Sequence, residues 1–213
     1  LVIIGGVSSI GRAAEKLTPL KVALYLLGGL LVIVTHADRL GGVLALVLQE
    51  AFSFRAGVGS AAGIGIMTAM RYGLARGIYA NEAGYGTAAV AYGTARSRRP
   101  VQQGYAAVME VFIVSFVTST ISALVLLLTG VWSSGLTSTA AVAEAFNHSI
   151  PMVGGWVVAV CAFLFGYTTI LGWGYYGEQF LEYVLGRGVV VPYRWVYCGL
   201  IVVGATTRVD LVW

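Results

Sequence analysis

The stretch 104–130 holds one charged side chain, Glu110, and the stretch 152–174 holds none. Each is long enough to cross the hydrocarbon core of a bilayer, which takes about 20 mostly apolar residues in a helix. Residues 18–35 and the shorter 193–207 read the same way. A helix packed on a soluble core needs a polar face toward water, and these runs have no such face. Charged residues make up 10% of the chain and apolar residues 58%, whereas about a quarter of a soluble domain is charged. Lipid removes the need for a polar shell. The 29 glycines fit that solvent, because membrane helices approach one another through small residues. The expected fold class is an all-α polytopic membrane protein.

The formal charge of +4 does not describe a nucleic-acid surface, because the basic residues are scattered between apolar stretches. They sort instead as topology signals. Arg12, Lys16 and Lys21 precede the first full span, Arg96, Arg98 and Arg99 the second, and Arg187 and Arg194 lie between the last two. These loops read as cytoplasmic. The connection 131–151 has no Lys or Arg, and 36–57 has only Arg39 and Arg55, so both read as external. Within them, 40–52 and 137–146 have helical spacing but are too short to span. Alternation then requires 58–95 to cross once. Cys161 and Cys198 fall in apolar runs and read as inert buried thiols. His36 and His148 read as external loop residues without partners for a metal site or a triad. Gly59, Gly63 and Gly65 form a packing stripe, since no strand precedes them and no Gly-Lys-Ser/Thr follows. No nucleophile–base pair or metal cluster stands at one depth, so an enzyme is not expected. The opening Leu1-Val2-Ile3-Ile4 reads as the end of a preceding span (1–6), and 208–213 as the start of a further segment. An internal fragment of a longer protein is expected.

The crossing 58–95 is broken in its middle. The run Gly77-Ile78-Tyr79-Ala80-Asn81-Glu82-Ala83-Gly84-Tyr85-Gly86 brings glycines, an amide and a carboxylate together at bilayer depth. A glycine costs a helix about 1 kcal/mol relative to alanine, and a carboxylate at the membrane centre costs about 3 kcal/mol on insertion scales. Non-helical backbone at that depth survives where it is buried in protein or lines a water-filled cavity. Broken helices of this kind hold substrates and ions, with free carbonyls facing a cation and free amides facing a carboxylate. The competing reading makes Asn81-Glu82 a surface loop, with Arg71 and Arg76 marking a membrane boundary. Intramembrane ionisable groups favour the site over the loop.

A second constellation lies in 152–174, where Thr168 and Thr169 follow an apolar run and precede Gly172-Trp173-Gly174-Tyr175-Tyr176. Paired hydroxyls are hard oxygen ligands suited to sodium. Threonines in membrane helices also commonly bond the carbonyl one turn back and do nothing else, and on the residues alone that reading is the better one. Trp173 reads either as a pocket residue or as part of an interfacial aromatic belt with Tyr175 and Tyr176, with the belt slightly favoured. Glu110 is placed to pair with a loop arginine. Ser115, Thr118, Ser119, Thr120 and Ser122 read as packing or interhelical bonding residues.

Three motifs in order resemble one family. Ile10-Gly11-Arg12-Ala13-Ala14-Glu15-Lys16-Leu17-Thr18-Pro19 is similar to the Gly-Arg-x-Ala-Glu-Lys-x-x-Pro stretch of the alanine/glycine:cation symporters, also called amino-acid carrier proteins. Arg76 to Gly86 resembles their Arg-Gly-Leu-Phe-Ser-Asn-Glu-Ala-Gly-x-Gly signature, with Ile78-Tyr79-Ala80 in place of Leu-Phe-Ser. Thr168-Thr169-Ile170-Leu171-Gly172-Trp173 with Tyr175-Tyr176-Gly177-Glu178 resembles a third. The resemblance implies a fragment of a LeuT-like inverted-repeat transporter, with 58–95 as its discontinuous helix and half of the binding site on helices outside this chain. It implies sodium-coupled symport of a small neutral amino acid, alanine or glycine, in a bacterial or archaeal cytoplasmic membrane. No organic cofactor is implied, and sodium is the coupling ion. It assigns substrate binding to Tyr79, Asn81, Glu82, Ala83, Gly84, Gly86 and Trp173, and sodium binding to Thr168 and Thr169. That reverses the preference on the threonine pair and moves Trp173 toward a pocket. A proton-coupled carrier titrating at Glu82 is the alternative, and a channel is the weaker one.

Overall fold

The computed structural model describes residues 2, 3, 5–52, 60–82, 84–95, 97 and 99–207. Among them the regular structure is helical. Helix α1 spans Gly6–Thr35, α2 Leu40–Phe52, α3 Ser60–Asn81 and α4 Thr87–Tyr92. Helix α5 (Pro100–Phe112) continues through a π-helical turn, Ile113–Thr118, into α6 (Ser119–Thr129). Helices α7 (Ser138–Ser149), α8 (Gly154–Leu185) and α9 (Val190–Thr206) complete the chain. Pro100 opens α5 at a position where its missing N–H costs nothing, and Gly130 ends α6 at a φ of 75° that a glycine adopts freely.

Among the described residues, four stretches are long and apolar enough to cross a membrane: Ser9–Thr35, Pro100–Thr129, Gly154–Leu185 and Arg187–Thr206. Only 0–22% of the most apolar part of each is buried within the chain, so their outer faces call for lipid or further helices. Helix α3, which carries Arg71 and Arg76, is not among the four.

The chain divides into two compact units. One comprises residues 1–22 and 162–213, the other 23–161. The second unit has its core at Val32, Ile121, Val125, Val131, Ala141, Ala145, Phe146 and Val158. Phe146 is its fully buried keystone. Its ring lies 6.0 Å from that of Tyr25, and the Tyr25 hydroxyl shares a 2.6 Å hydrogen bond with Ser122. Gly28 is what lets that ring approach α1, since a Cβ there would stand 2.7 Å from Phe146 Cε1. In the other unit, Tyr193 and Tyr197 of α9 lie over Gly177 and Gly174 of α8.

Two readings of the sequence change. Lys21 was expected in a cytoplasmic loop. It lies inside α1 and is 9% exposed, because the helix begins at Gly6 and carries the charged motif within it. Arg194 was also read as a loop charge. It lies in α9 and makes a forked ion pair with Glu178 of α8, Nε to Oε2 and Nη2 to Oε1, both at 2.7 Å. His36 and His148 are neighbours, with ring centroids 6.4 Å apart. The expectations for Arg55, Arg96, Arg98, Gly59 and residues 208–213 lie outside the described residues.

Candidate functional site

The break falls at 82–86. Helix α3 stays regular through Tyr79 and Asn81, and Glu82 then takes a φ of 54°. That left-handed conformation costs a residue with a Cβ about 1–2 kcal/mol. Gly84 and Gly86 follow at φ 84° and 85°, where glycine pays no such penalty. The Glu82 N–H still bonds the Ile78 carbonyl at 3.0 Å, and the Tyr85 N–H turns back to the Glu82 carbonyl at 3.1 Å. Across the gap, Thr87 Oγ1 donates to Glu82 Oε2 at 2.8 Å. A carboxylate at the end of α3 therefore holds the first residue of α4, which offsets the strain at Glu82.

Asn81 points the other way. Its Nδ2 donates to Ser115 Oγ at 3.0 Å, and Ser115 sits in the π-helical turn between α5 and α6. Such turns free backbone groups and recur at functional sites. Here side-chain hydroxyls take up the carbonyls: Thr118 Oγ1 donates to Ile113 O at 3.3 Å and Ser119 Oγ to Val114 O at 2.9 Å. Two irregular stretches, one in each neighbouring helix, thus meet through an amide–hydroxyl bond. The Tyr79 and Tyr85 rings lie 5.6 Å apart beside the break, tilted by 46°. Farther along, the Tyr92 hydroxyl donates to Glu110; of the loop arginines expected to pair with it, Arg96 and Arg98 lie outside the described residues.

An open cleft of about 580 Å³ borders this region, with Asn81, Glu82, Gly84 and Gly86 on one side and Val108 and Val111 on the other. It offers one amide and one carboxylate against a largely apolar wall, the composition expected where a small polar molecule is oriented. Ala83 and the Arg76 side chain lie outside the described residues.

Thr168, Thr169 and Trp173 belong to the other unit. Thr168 and Thr169 are successive residues of α8. Thr168 is half-buried, and its Oγ1 donates back to Leu164 O at 3.0 Å, the local bond the sequence allowed for. That same oxygen accepts a hydrogen bond from Lys21 Nζ. Thr169 is exposed. Trp173 is partly exposed, with the Tyr176 ring edge-on at 5.9 Å. Sequence reasoning missed Lys21, because counting the span from residue 18 left it at the boundary, and it missed Thr87, which only the turn brings back to Glu82.

The whole chain, residues 1–213, matches the family described as the Sodium:alanine symporter family. The chain belongs to that family. It is a family of transporters, not enzymes, and with four apolar helices the chain is part of a multi-pass membrane protein of a bacterial or archaeal membrane. It is 35% identical to an uncharacterized transporter of Haemophilus influenzae, over 100% of this chain and 47% of that protein. It is 34% identical to the sodium/alanine symporter AgcS of Methanococcus maripaludis, over 100% and 47%. It is 33% identical to the probable sodium/glutamine symporter GlnT of Bacillus subtilis, over 100% and 44%. The chain thus spans just under half the length of these relatives.

Proposed function

We propose that the protein containing this chain carries a small neutral amino acid, alanine or glycine, across the cytoplasmic membrane together with sodium. The observation that supports this reading best is the break at 82–86, tied to the π-helical turn by Asn81 and Ser115 and bordered by the cleft. Free backbone groups at such a break suit the two charged ends of a zwitterion. In this reading Asn81, Gly84 and Gly86, with Tyr79 and Ala83, are substrate-binding residues, and so is Trp173. Thr168 and Thr169 supply hydroxyls to sodium. Ion and substrate couple because each binds more tightly to the state the other favours. The helices are arranged as in a LeuT-like inverted repeat, with 58–95 crossing once as the discontinuous element and the rest of the site on helices beyond this chain.

Glu82 holds the broken backbone rather than carrying a proton, since its Oε2 is the acceptor for Thr87. Glutamine retains an acceptor oxygen at that position. Uptake of alanine by the full-length protein is therefore expected to survive Glu82→Gln, while Thr169→Val removes its sodium dependence. Loss of uptake in Glu82→Gln, with transport in the parent following the pH gradient and ignoring sodium, would assign coupling to a proton at Glu82 instead.

A further inference from the structure

The chain's two histidines meet at the ends of two helices. His36 follows the last residue of α1, and His148 lies in the last turn of α7. Their ring centroids are 6.4 Å apart, with the ring planes at 58°. The backbone beneath both belongs to one core. Val32, one turn before His36, is fully buried, and so are Ala145 and Phe146, just before His148. The pair therefore stands on a fixed base, with His36 half-buried and His148 exposed.

The His36 ring is already oriented. Its Nδ1 lies 3.1 Å from the Val32 carbonyl oxygen, which can only accept, so Nδ1 carries the proton and donates it. Nε2 of the neutral ring then keeps its lone pair. A metal-ligating histidine has this arrangement, its other ring N–H held by a carbonyl or carboxylate. The surroundings suit a cation. Both rings sit at helix C-termini, the ends that favour positive charge. Glu144 lies one turn before His148 on α7 and is exposed, and Asp38 follows His36 by two residues. Arg39, the nearest basic residue in the sequence, donates to the Leu128 carbonyl.

We propose that His36 and His148 bind a divalent transition-metal ion of the zinc class, which clips the end of α1 to the end of α7. Imidazole nitrogen suits such ions, whereas magnesium and calcium take oxygen ligands. Nitrogens about 2.0–2.1 Å from one tetrahedral ion put the two ring centres about 5 Å apart. Closure from the observed separation is a small movement, which rotation of the exposed His148 side chain supplies. Among the described residues no three His, Cys, Asp or Glu side chains are grouped to hold a metal, so water completes the shell. The site is independent of which solute or ion is carried.

The test is thermal unfolding of the full-length protein in detergent, stripped of metal with a chelator and titrated with zinc chloride or with magnesium chloride. Zinc should raise the melting temperature in a saturable way, because it binds the folded state that holds both rings together. Magnesium should leave it unchanged. His36→Ala and His148→Ala should each raise the zinc concentration that gives half the shift by at least about tenfold, since loss of even an outer partner of a metal site costs about 10–100-fold. A parent melt that zinc does not move overturns the site, and so does a zinc response that either variant retains in full. An equal response to magnesium would place the ion on oxygen ligands and remove the histidine site. The two variants are read separately, so one that fails to fold leaves the other to decide.

Discussion

Glu178→Gln is expected to destabilise the full-length protein by about 3–5 kcal/mol, the usual cost of stranding one member of a buried ion pair. The Glu178 side chain is 6% exposed and that of Arg194 19%, and the guanidinium engages both carboxylate oxygens at 2.7 Å. Glutamine keeps the shape but removes the charge that the partly buried guanidinium engages. Gly6 has a φ of 71° and lies against the same guanidinium, where a Cβ would stand 2.9 Å from Nη2, so the packing around Arg194 has little room to rearrange. Arg194→Lys keeps a charge and loses the fork, and it should fall between the parent and Glu178→Gln. The double variant Glu178→Leu/Arg194→Met should recover most of the loss, because it strands nothing. Thermal unfolding in detergent, followed by tryptophan fluorescence, reads all of these. An unshifted melt for Glu178→Gln would show that the pair does not hold α8 to α9.

Asn81→Ala is expected to lower alanine uptake by about tenfold, with a smaller effect on thermal stability. The amide bonds Ser115 across the gap between α3 and the π-helical turn. Its removal takes away that bond, worth about 0.5–1.5 kcal/mol net, and tenfold corresponds to about 1.4 kcal/mol. Ser115→Ala removes the same bond from the other side and should give a similar loss. The two together should cost little more than either alone, since contacting residues are not additive. Initial rates of uptake at equal reconstituted protein, for the four members of the cycle, decide the point. Additive losses would mean that the two residues act separately and that the bond is incidental.

The end of α3 at Asn81 was readable in the sequence, because Glu82, Gly84 and Gly86 are costly in a continuous helix. The side of Glu82 that matters was not readable: its hydrogen bond with Thr87 exists because the left-handed residue at 82 folds the chain back. The four apolar runs corresponded to helices, but their lengths did not. Charges read as loop signals, Lys21 and Arg194, are helical and engaged, because a rule that sorts charges into loops has no term for a partner on a neighbouring helix. The π-helical turn was hidden for a related reason. Ser115, Thr118 and Ser119 look like packing residues until their hydroxyls are seen bonding Asn81 and the carbonyls of Ile113 and Val114.

Uptake of radiolabelled alanine into proteoliposomes holding the full-length protein, with and without an inward sodium gradient, tests the proposed function most directly. Sodium-coupled symport predicts accumulation above the external concentration with the gradient and only equilibration without it. Uptake that is indifferent to the sodium gradient at every pH would contradict it.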